Sequence, residues 1–252
     1  MPFAAYTEDL RAFGRHASAP EGASEGMYFD PREGMRQTPK LVEAMRSRVG
    51  DDVELLVEAH ERPLPIDAVK LAKDLEPFRL FFLEDPLSPE DLEWFRIIRQ
   101  QSATPLAMGE LFTNPKEWQP LIENRLIDYV RMHVSQIGGI TPAWNVAAYA
   151  AMYGIRTAWH GPGDFSPVGR AANLHLELWA PNFGVHEWQD MPEAGYEIFP
   201  GAPRPKGGYL YPNDAPGLGV DIDKKVAARF PCKEQDERWT HTRRPDGTPA
   251  RP

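Results

Sequence analysis

The strongest constraint on the fold is an alternation of short apolar runs with longer segments of helical periodicity, repeated along most of the chain. Six runs are predicted to be strands: 53–57, 79–83, 105–108, 127–134, 155–159 and 184–186. Helices are predicted beside them at 38–50, 65–75, 89–101, 115–124, 141–153 and 166–179. Strands separated by helices of this length favour right-handed crossovers and a parallel sheet.

The regular pace of the repeat indicates a closed barrel rather than an open sheet. Neither a GxGxxG turn nor a Walker loop is present to suggest a nucleotide site. A TIM-type barrel closes with eight strands, and six are visible here. We therefore expect an α/β fold of the TIM type, with an incomplete barrel of about six strands and no capping domain.

Three regions differ in composition. Residues 1–35 are rich in Gly, Ala, Ser and Pro without a sustained period, which predicts an irregular lead-in. Residues 36–190 carry the alternating pattern and form the expected barrel domain. Residues 191–252 are rich in Pro and Gly, with one short helix predicted at 224–229, and we expect a tail that wraps the barrel.

Charge and composition exclude several classes of partner. The formal net charge of −9 disfavours nucleic acid and anionic membrane surfaces. No apolar stretch of about eighteen residues is present to span a bilayer. The single cysteine, Cys232, cannot form an intrachain disulfide, so a cytoplasmic location is expected.

Three glutamates each follow the end of a predicted strand at regular spacing. The interval is 26 residues from Glu58 to Glu84 and 26 again from Glu84 to Glu110. One βα unit therefore separates each pair, which predicts that the carboxylates share the barrel rim where active sites lie. Converging carboxylates need a cation, and all-oxygen ligands suit Mg²⁺. The alternative, three solvated strand-end acids, explains neither the equal register nor the apolar segments before Glu84 and Glu110.

At these residues the chain resembles a known family. The motifs VEAH, FLEDP and MGEL, followed by IDYVRMHVSQIGGI, AWHGPGDFSPV, PNFGVHEW and PGLGVDID, are similar to enolase-superfamily acid-sugar dehydratases. The resemblance is to the mannonate dehydratase branch, also labelled starvation-sensing proteins. It covers roughly residues 36–248.

The resemblance implies a metal-dependent hydro-lyase. Glu58, Glu84 and Glu110 would ligate one Mg²⁺, which holds the substrate carboxylate and stabilises the enediolate formed when the neighbouring proton is lost. The substrate would be an aldonic acid such as D-mannonate or D-gluconate, and the product a 2-keto-3-deoxy sugar acid. Enolase-type racemisation or cycloisomerisation would need lysines at strand ends, and the sequence has none there.

Four further residues receive roles by the same resemblance. His60 matches the general acid that protonates the departing hydroxyl, and on a strand continuing beyond Glu58 it would face the same side as that ligand. His160 matches a catalytic histidine that contacts substrate, and Glu187 and Asp164 match substrate-binding acids. For either histidine the alternative is a structural hydrogen bond at a strand end.

Other polar residues receive no firm role. His133, His175 and His186 are candidates for the pocket or its framework, and Arg79, Arg131 and Arg156 lie close to strands. No serine lies in a G-x-S-x-G setting, so a nucleophilic triad is not predicted.

The chain departs from the branch in two respects. The first ligand position holds Glu58 where the branch normally has Asp, and the added methylene moves the carboxylate by roughly 1.5 Å. Neither Tyr6 nor Tyr28 matches the branch's tyrosine base. The second hypothesis is therefore an impaired relative that binds a sugar acid or a partner subunit without turnover. Because two strands are missing, we expect a truncated gene, with a homo-oligomer or a preceding region completing the barrel.

Overall fold

The structure, a computed structural model, describes residues 21–22, 28–163, 165–231 and 243–249. Asp164, Cys232 and Tyr6 lie outside the described residues. The described residues form two compact units. The first runs to Ala107 and includes 243–249, and the second begins at Met108.

The first unit alternates helices with short parallel strands. Its elements are α1 (Pro31–Val49), β1 (Leu56–Glu58), α2 (Pro65–Leu75), a 3₁₀ turn (Glu76–Phe78), β2 (Phe82–Glu84), α3 (Leu92–Gln101) and β3 (Leu106–Met108). Strand order is β1-β2-β3, and both pairings between these strands are parallel. The last residue of β3 belongs to the second unit.

Helix α1 begins seven residues before the predicted start at Thr38. The side chain of Asp30 accepts a hydrogen bond from Arg32 N at 2.9 Å, and Pro31 occupies the first helical position, where no N–H donor is needed. The helix ends at Gly50, whose positive φ of 70° suits a C-cap. A cap and a proline thus extend the helix into the predicted lead-in.

Helix α2 is central to the packing of the first unit, since it contacts both α1 and α3. Its buried face is Ala68, Val69, Leu71, Ala72 and Leu75. Burying a leucine side chain of this kind contributes about 1.5–3 kcal/mol. The hydroxyls of Ser102 and Thr104 donate to the carbonyl of Ala72 at 3.0 and 2.7 Å, which fixes the segment leading into β3.

The second unit continues the alternation and then becomes irregular. Its elements are α4 (Pro115–Glu123), β4 (Tyr129–Val130), α5 (Ile140–Met152), β5 (Arg156–Trp159), α6 (Pro167–Trp179), β6 (Phe183–His186), α7 (Glu193–Ile198), β7 (Pro205–Lys206), β8 (Tyr209–Leu210) and α8 (Lys224–Ala227). Strand order is β4-β5-β6, all parallel, and β7 pairs with β8 antiparallel. Arg131 N donates to Met108 O at 2.8 Å, so β4 lies beside the end of β3.

The six predicted barrel strands and the helices between them are all found in the described residues. Helix α7 and the β7–β8 hairpin were not predicted. The hairpin turn holds Gly207 and Gly208 at positive φ, 59° and 83°, which is the geometry that a two-residue turn requires. The division at 35 and 190 stays a prediction, as does the homo-oligomer. Among the described residues, no helix has the length and hydropathy needed to cross a bilayer.

Candidate functional site

In the first unit, two of the predicted ligands end neighbouring strands. Glu58 is the last residue of β1 and Glu84 the last of β2, and their Cα atoms are register partners. The carboxyl ends of parallel strands meet at one edge, so both residues stand at the same rim. Glu84 is 3% exposed, whereas the Glu58 side chain is 44% exposed. A carboxylate as buried as that of Glu84 requires compensating charge or hydrogen bonds.

His60 reaches the same rim by a turn, and the expectation of a strand continuing past Glu58 is wrong. Strand β1 ends at Glu58, and His60 and Glu61 have left-handed φ angles of 52° and 55°. Ala59 N donates to Glu84 O at 2.9 Å and Glu61 N to Asp85 O at 2.8 Å, which holds the turn against the end of β2. His60 Nε2 lies 3.5 Å from Glu58 Oε1, so the turn, and not a strand, makes the two side chains neighbours.

In the second unit, the structure brings together Glu110, His160 and Glu187. Glu110 lies two residues beyond β3, His160 one residue beyond β5 and Glu187 one residue beyond β6. His160 Nδ1 is 3.3 Å from Glu110 Oε2 and 3.1 Å from Glu187 Oε2. The imidazole therefore lies between two acids. The gathering of Glu110 with Glu58 and Glu84 around one ion stays a prediction.

Arg131 joins this group, and sequence reasoning assigned it no role. Its side chain is 4% exposed and follows directly after β4. Its Nη2 donates to Glu187 Oε2 at 2.7 Å, its Nη1 donates to Ala158 O at 3.2 Å, and Nη2 is 3.1 Å from His160 Nδ1. The available signal was positional, since Arg131 stands at a strand's carboxyl end as the predicted acids do.

The surroundings of Glu187 favour its charged form. Burial opposes ionisation, but the hydrogen bond with His160, the positive charge of Arg131 and the Gly161 N–H, which donates at 2.9 Å, outweigh it. Together they lower the pKa of Glu187 well below the ordinary value of a glutamate. Glu187 therefore carries a stable negative charge beside the permanent positive charge of Arg131.

Donors and acceptors both face Nδ1 of His160: Nη2 of Arg131, which can only donate, lies 3.1 Å away, and carboxylate oxygens of Glu110 and Glu187 lie 3.3 and 3.1 Å away. A proton on Nδ1 donated to a carboxylate leaves the lone pair on Nε2. Neutral His160 then presents a hydrogen-bond acceptor, or a base, on the side of the ring away from these acids.

Three further histidines are described: His133 lies beside His160, His186 is paired with Glu177, and His175 lies on α6. The ring of His133 lies 5.5 Å from that of His160 and 4.4 Å from that of Phe165, measured between centroids. His186 is partly buried and hydrogen-bonded to Glu177 on α6, where burial raises the pKa of Glu177 against the opposing effect of His186. His175 lies on α6, partly buried.

Residues 16–226 match the family described as enolase C-terminal domain-like. The chain belongs to this family. The enolase-type barrel predicted from the sequence is thereby confirmed for the domain, and the described residues supply six parallel strands of it.

The relatives of this enolase-type chain agree in name. A D-galactonate dehydratase family member from Pantoea ananatis, RspA, is 54% identical over 234 residues, covering 93% of this chain and 56% of the relative. Another D-galactonate dehydratase family member, from Musicola paradisiaca, is 52% identical, with the same coverage. The chain thus spans little more than half the length of these curated relatives.

Solved structures show the same likeness. A crystal structure of an enolase from Pantoea ananatis with bound D-gluconate and Mg superposes with a TM-score of 0.91 at 51% identity, covering 97% of this chain and 58% of that one. A mandelate racemase/muconate lactonizing enzyme from Jannaschia sp. CCS1 gives a TM-score of 0.75 at 26% identity, covering 83% and 56%. The assignment to the mannonate dehydratase branch stays a prediction.

Proposed function

We propose that this chain is the barrel part of a Mg²⁺-dependent acid-sugar dehydratase of the mannonate dehydratase type. The substrate would be an aldonic acid such as D-mannonate or D-gluconate, and the product a 2-keto-3-deoxy sugar acid. The observation that carries the proposal is the 51% identity and TM-score of 0.91 to an enolase crystallised with D-gluconate and Mg. The acids at the carboxyl ends of successive strands support it independently.

The proposed ligands of the ion are Glu58, Glu84 and Glu110. Their chemistry fits Mg²⁺, because all three offer carboxylate oxygens at or just beyond strand ends, and hard oxygen ligands are the ones that this ion prefers. When bound, the ion would supply the charge that stabilises a substrate carboxylate as the adjacent C–H bond loses its proton.

The chain's own residues would carry the remaining steps. Loss of the C2 proton and of the C3 hydroxyl releases one water and leaves an enol that becomes the 2-keto acid. His60 would donate the proton that the leaving hydroxyl needs, and His160 would accept a hydrogen bond from the substrate or its proton at Nε2. Glu187, kept ionised by Arg131, would accept hydrogen bonds from sugar hydroxyls.

The second candidate is a relative that binds a sugar acid without turning it over. Two observations favour it: Glu58 replaces the Asp usual in the resembling branch, and its side chain is 44% exposed beside His60. Mg²⁺ tolerates misplaced ligands poorly, so a longer side chain at this position weakens the site if the rim does not adjust.

The test is turnover of a panel of aldonic acids with Mg²⁺, detected as 2-keto-3-deoxy product. We expect product from at least one acid, abolished by Glu84→Gln and unaffected by Glu90→Gln, a matched change at an exposed acid six residues later. Ligand-induced thermal stabilisation without product would establish the second candidate instead. Product that survives Glu84→Gln would overturn the metal assignment.

A further inference from the structure

Arg170 lies on α6 with only 2% of its surface exposed. Its guanidinium donates to four backbone carbonyls: Nε to Phe165 O at 3.2 Å, Nη2 to Pro162 O at 2.9 Å and Gly163 O at 3.3 Å, and Nη1 to Gln189 O. Three of these carbonyls follow β5, and the fourth follows β6. One buried side chain thus joins the chain segments beyond two adjacent strands.

These two segments also meet backbone to backbone. A Cβ atom on Gly161 would stand 2.3 Å from Glu187 O, and one on Gly163 would stand 2.4 Å from the Gln189 side chain. Gly161 N donates to Glu187 Oε2 at 2.9 Å. Because Gly161 lets the backbones of the two segments come into direct contact, the spacing between His160 and Glu187 depends directly on how the two segments are held.

The residue type suits this task. A guanidinium is planar and presents five donors in a fixed fork, enough for these four carbonyls, whereas a lysine ammonium offers three donors from a single point. The Arg170 Cζ also lies 4.9 Å from the centre of the Trp188 ring, one residue beyond Glu187. Filling the same volume with an apolar side chain would leave the four carbonyls without this donor.

A second contact from α6 acts on the same segment. Asn173, one helical turn after Arg170, donates from Nδ2 to His160 O at 3.2 Å. From this geometry we infer that Arg170 is a positioning residue of the candidate site, which sets the distance between His160 and Glu187 through the backbone carbonyls it holds. The effect on turnover rests on the proposed function, whereas the effect on the two segments does not.

The experiment compares Arg170→Ala and Arg170→Lys with Arg156→Ala. Arg156 is a matched control, because it also donates to a carbonyl, Phe183 O at 3.0 Å, and faces an aromatic ring, that of Tyr129, but it begins β5 instead of following it. The readouts are amide hydrogen exchange, measured by mass spectrometry, and steady-state kinetics on an accepted aldonic acid.

For Arg170→Ala we expect exchange in peptides covering 160–163 and 187–189 to rise at least about tenfold, with kcat falling on the order of 100-fold and KM changing less. Millimolar guanidinium should restore part of both losses, and Arg170→Lys should fall between the alanine variant and the unmodified chain. Arg156→Ala should leave both segments and kcat unchanged. If Arg170→Ala is recovered unfolded, the lysine variant decides by the same readouts.

Unchanged exchange in both segments would overturn the inference, as would faster exchange spread equally over α2 and α3, which indicates general destabilisation. If the unmodified chain turns over no acid, the proposed activity of the chain fails, and the exchange experiment still decides the role of Arg170. If turnover is present but unaffected by Arg170→Ala, the proposed activity stands and the positioning role is rejected.

Discussion

Arg131 donates from Nη2 to Glu187 Oε2 over 2.7 Å, which ties the residue directly after β4 to the residue directly after β6. His160, directly after the intervening strand β5, lies within 3.1 Å of both partners. The three side chains therefore form one charged group at a single rim. Arg131 favours the ionised form of Glu187, and because the Arg131 side chain is only 4% exposed, little of its own charge reaches solvent.

Arg131→Met should destabilise the chain and weaken binding of any sugar acid. The change leaves Glu187 without its strongest charged partner, and we expect a loss of about 2 kcal/mol, below the 3–5 kcal/mol of a fully buried pair because Glu187 is 37% exposed. Chemical denaturation measures this loss as a decrease in the free energy of unfolding. Arg125→Met is the control, since Arg125 also donates to a carbonyl, Tyr153 O at 3.3 Å, but at an exposed position. Equal losses in both variants would contradict the buried role of Arg131.

Glu187→Gln should cost stability at neutral pH and little in acid. The pKa of Glu187 in the folded chain is lowered from its ordinary value of 4.5, so its stabilising contribution is present above pH 4.5 and is lost as the pH falls further. We expect the variant to melt about 2–4 °C lower at pH 7, the shift for about 1 kcal/mol after screening at a partly exposed side chain. Thermal melts from pH 7 to pH 3 should show the gap closing, and a gap that widens in acid would refute the prediction.

Mg²⁺ binding should depend on Glu84. Calorimetric titration of the unmodified chain should show one site per chain, weakened at least about tenfold in Glu84→Gln because a neutral amide replaces a buried carboxylate ligand. Glu90→Gln, at an exposed position in the same unit, should titrate like the unmodified chain. If the unmodified chain, Glu84→Gln and Glu90→Gln give the same binding heat on titration with Mg²⁺, the ion binds elsewhere.

Gly161→Ala should be poorly tolerated. The new Cβ would lie 2.3 Å from the carbonyl oxygen of Glu187, and the backbone must shift to relieve the contact. We expect a loss of at least about 2 kcal/mol, or roughly 4–8 °C in melting temperature. Gly195→Ala is the control, since its Cβ would meet only the flexible side chain of Met191, with Sδ at 2.9 Å. Similar melting of the two variants would show that the backbone contact is not tight.

Sequence periodicity was sufficient for the barrel elements, because a buried strand and an amphipathic helix each leave a regular apolar pattern. Strand β2 and helix α6 were predicted to within a few residues. The start of α1 at Pro31 was missed because a cap and a proline, without apolar periodicity, define it. The β7–β8 hairpin was missed for a related reason, since two glycines, and not an apolar pattern, determine that turn.

The candidate site was predictable where residues follow strands and not where contacts are long-range. Glu84, His160 and Glu187 lie at or directly after strand ends, as the spacing predicts, and their roles stay a prediction. The contacts of Arg131 with Glu187 and of Arg170 with Gln189 join residues 56 and 19 positions apart, and no local pattern encodes such partners. The pair of His186 with Glu177 likewise depends on the packing of α6 against β6.

The left-handed backbone of His60 lowers the stability of the fold, although the proposed function uses the side chain of this residue. A non-glycine residue at a φ of 52° carries a conformational cost of about 1 kcal/mol, which glycine would remove and asparagine would reduce. His60→Gly or His60→Asn should therefore give a protein at least as resistant to unfolding as the native chain, yet without an imidazole beside Glu58. If the proposed function holds, the ring that this turn places beside Glu58 is what offsets the conformational cost.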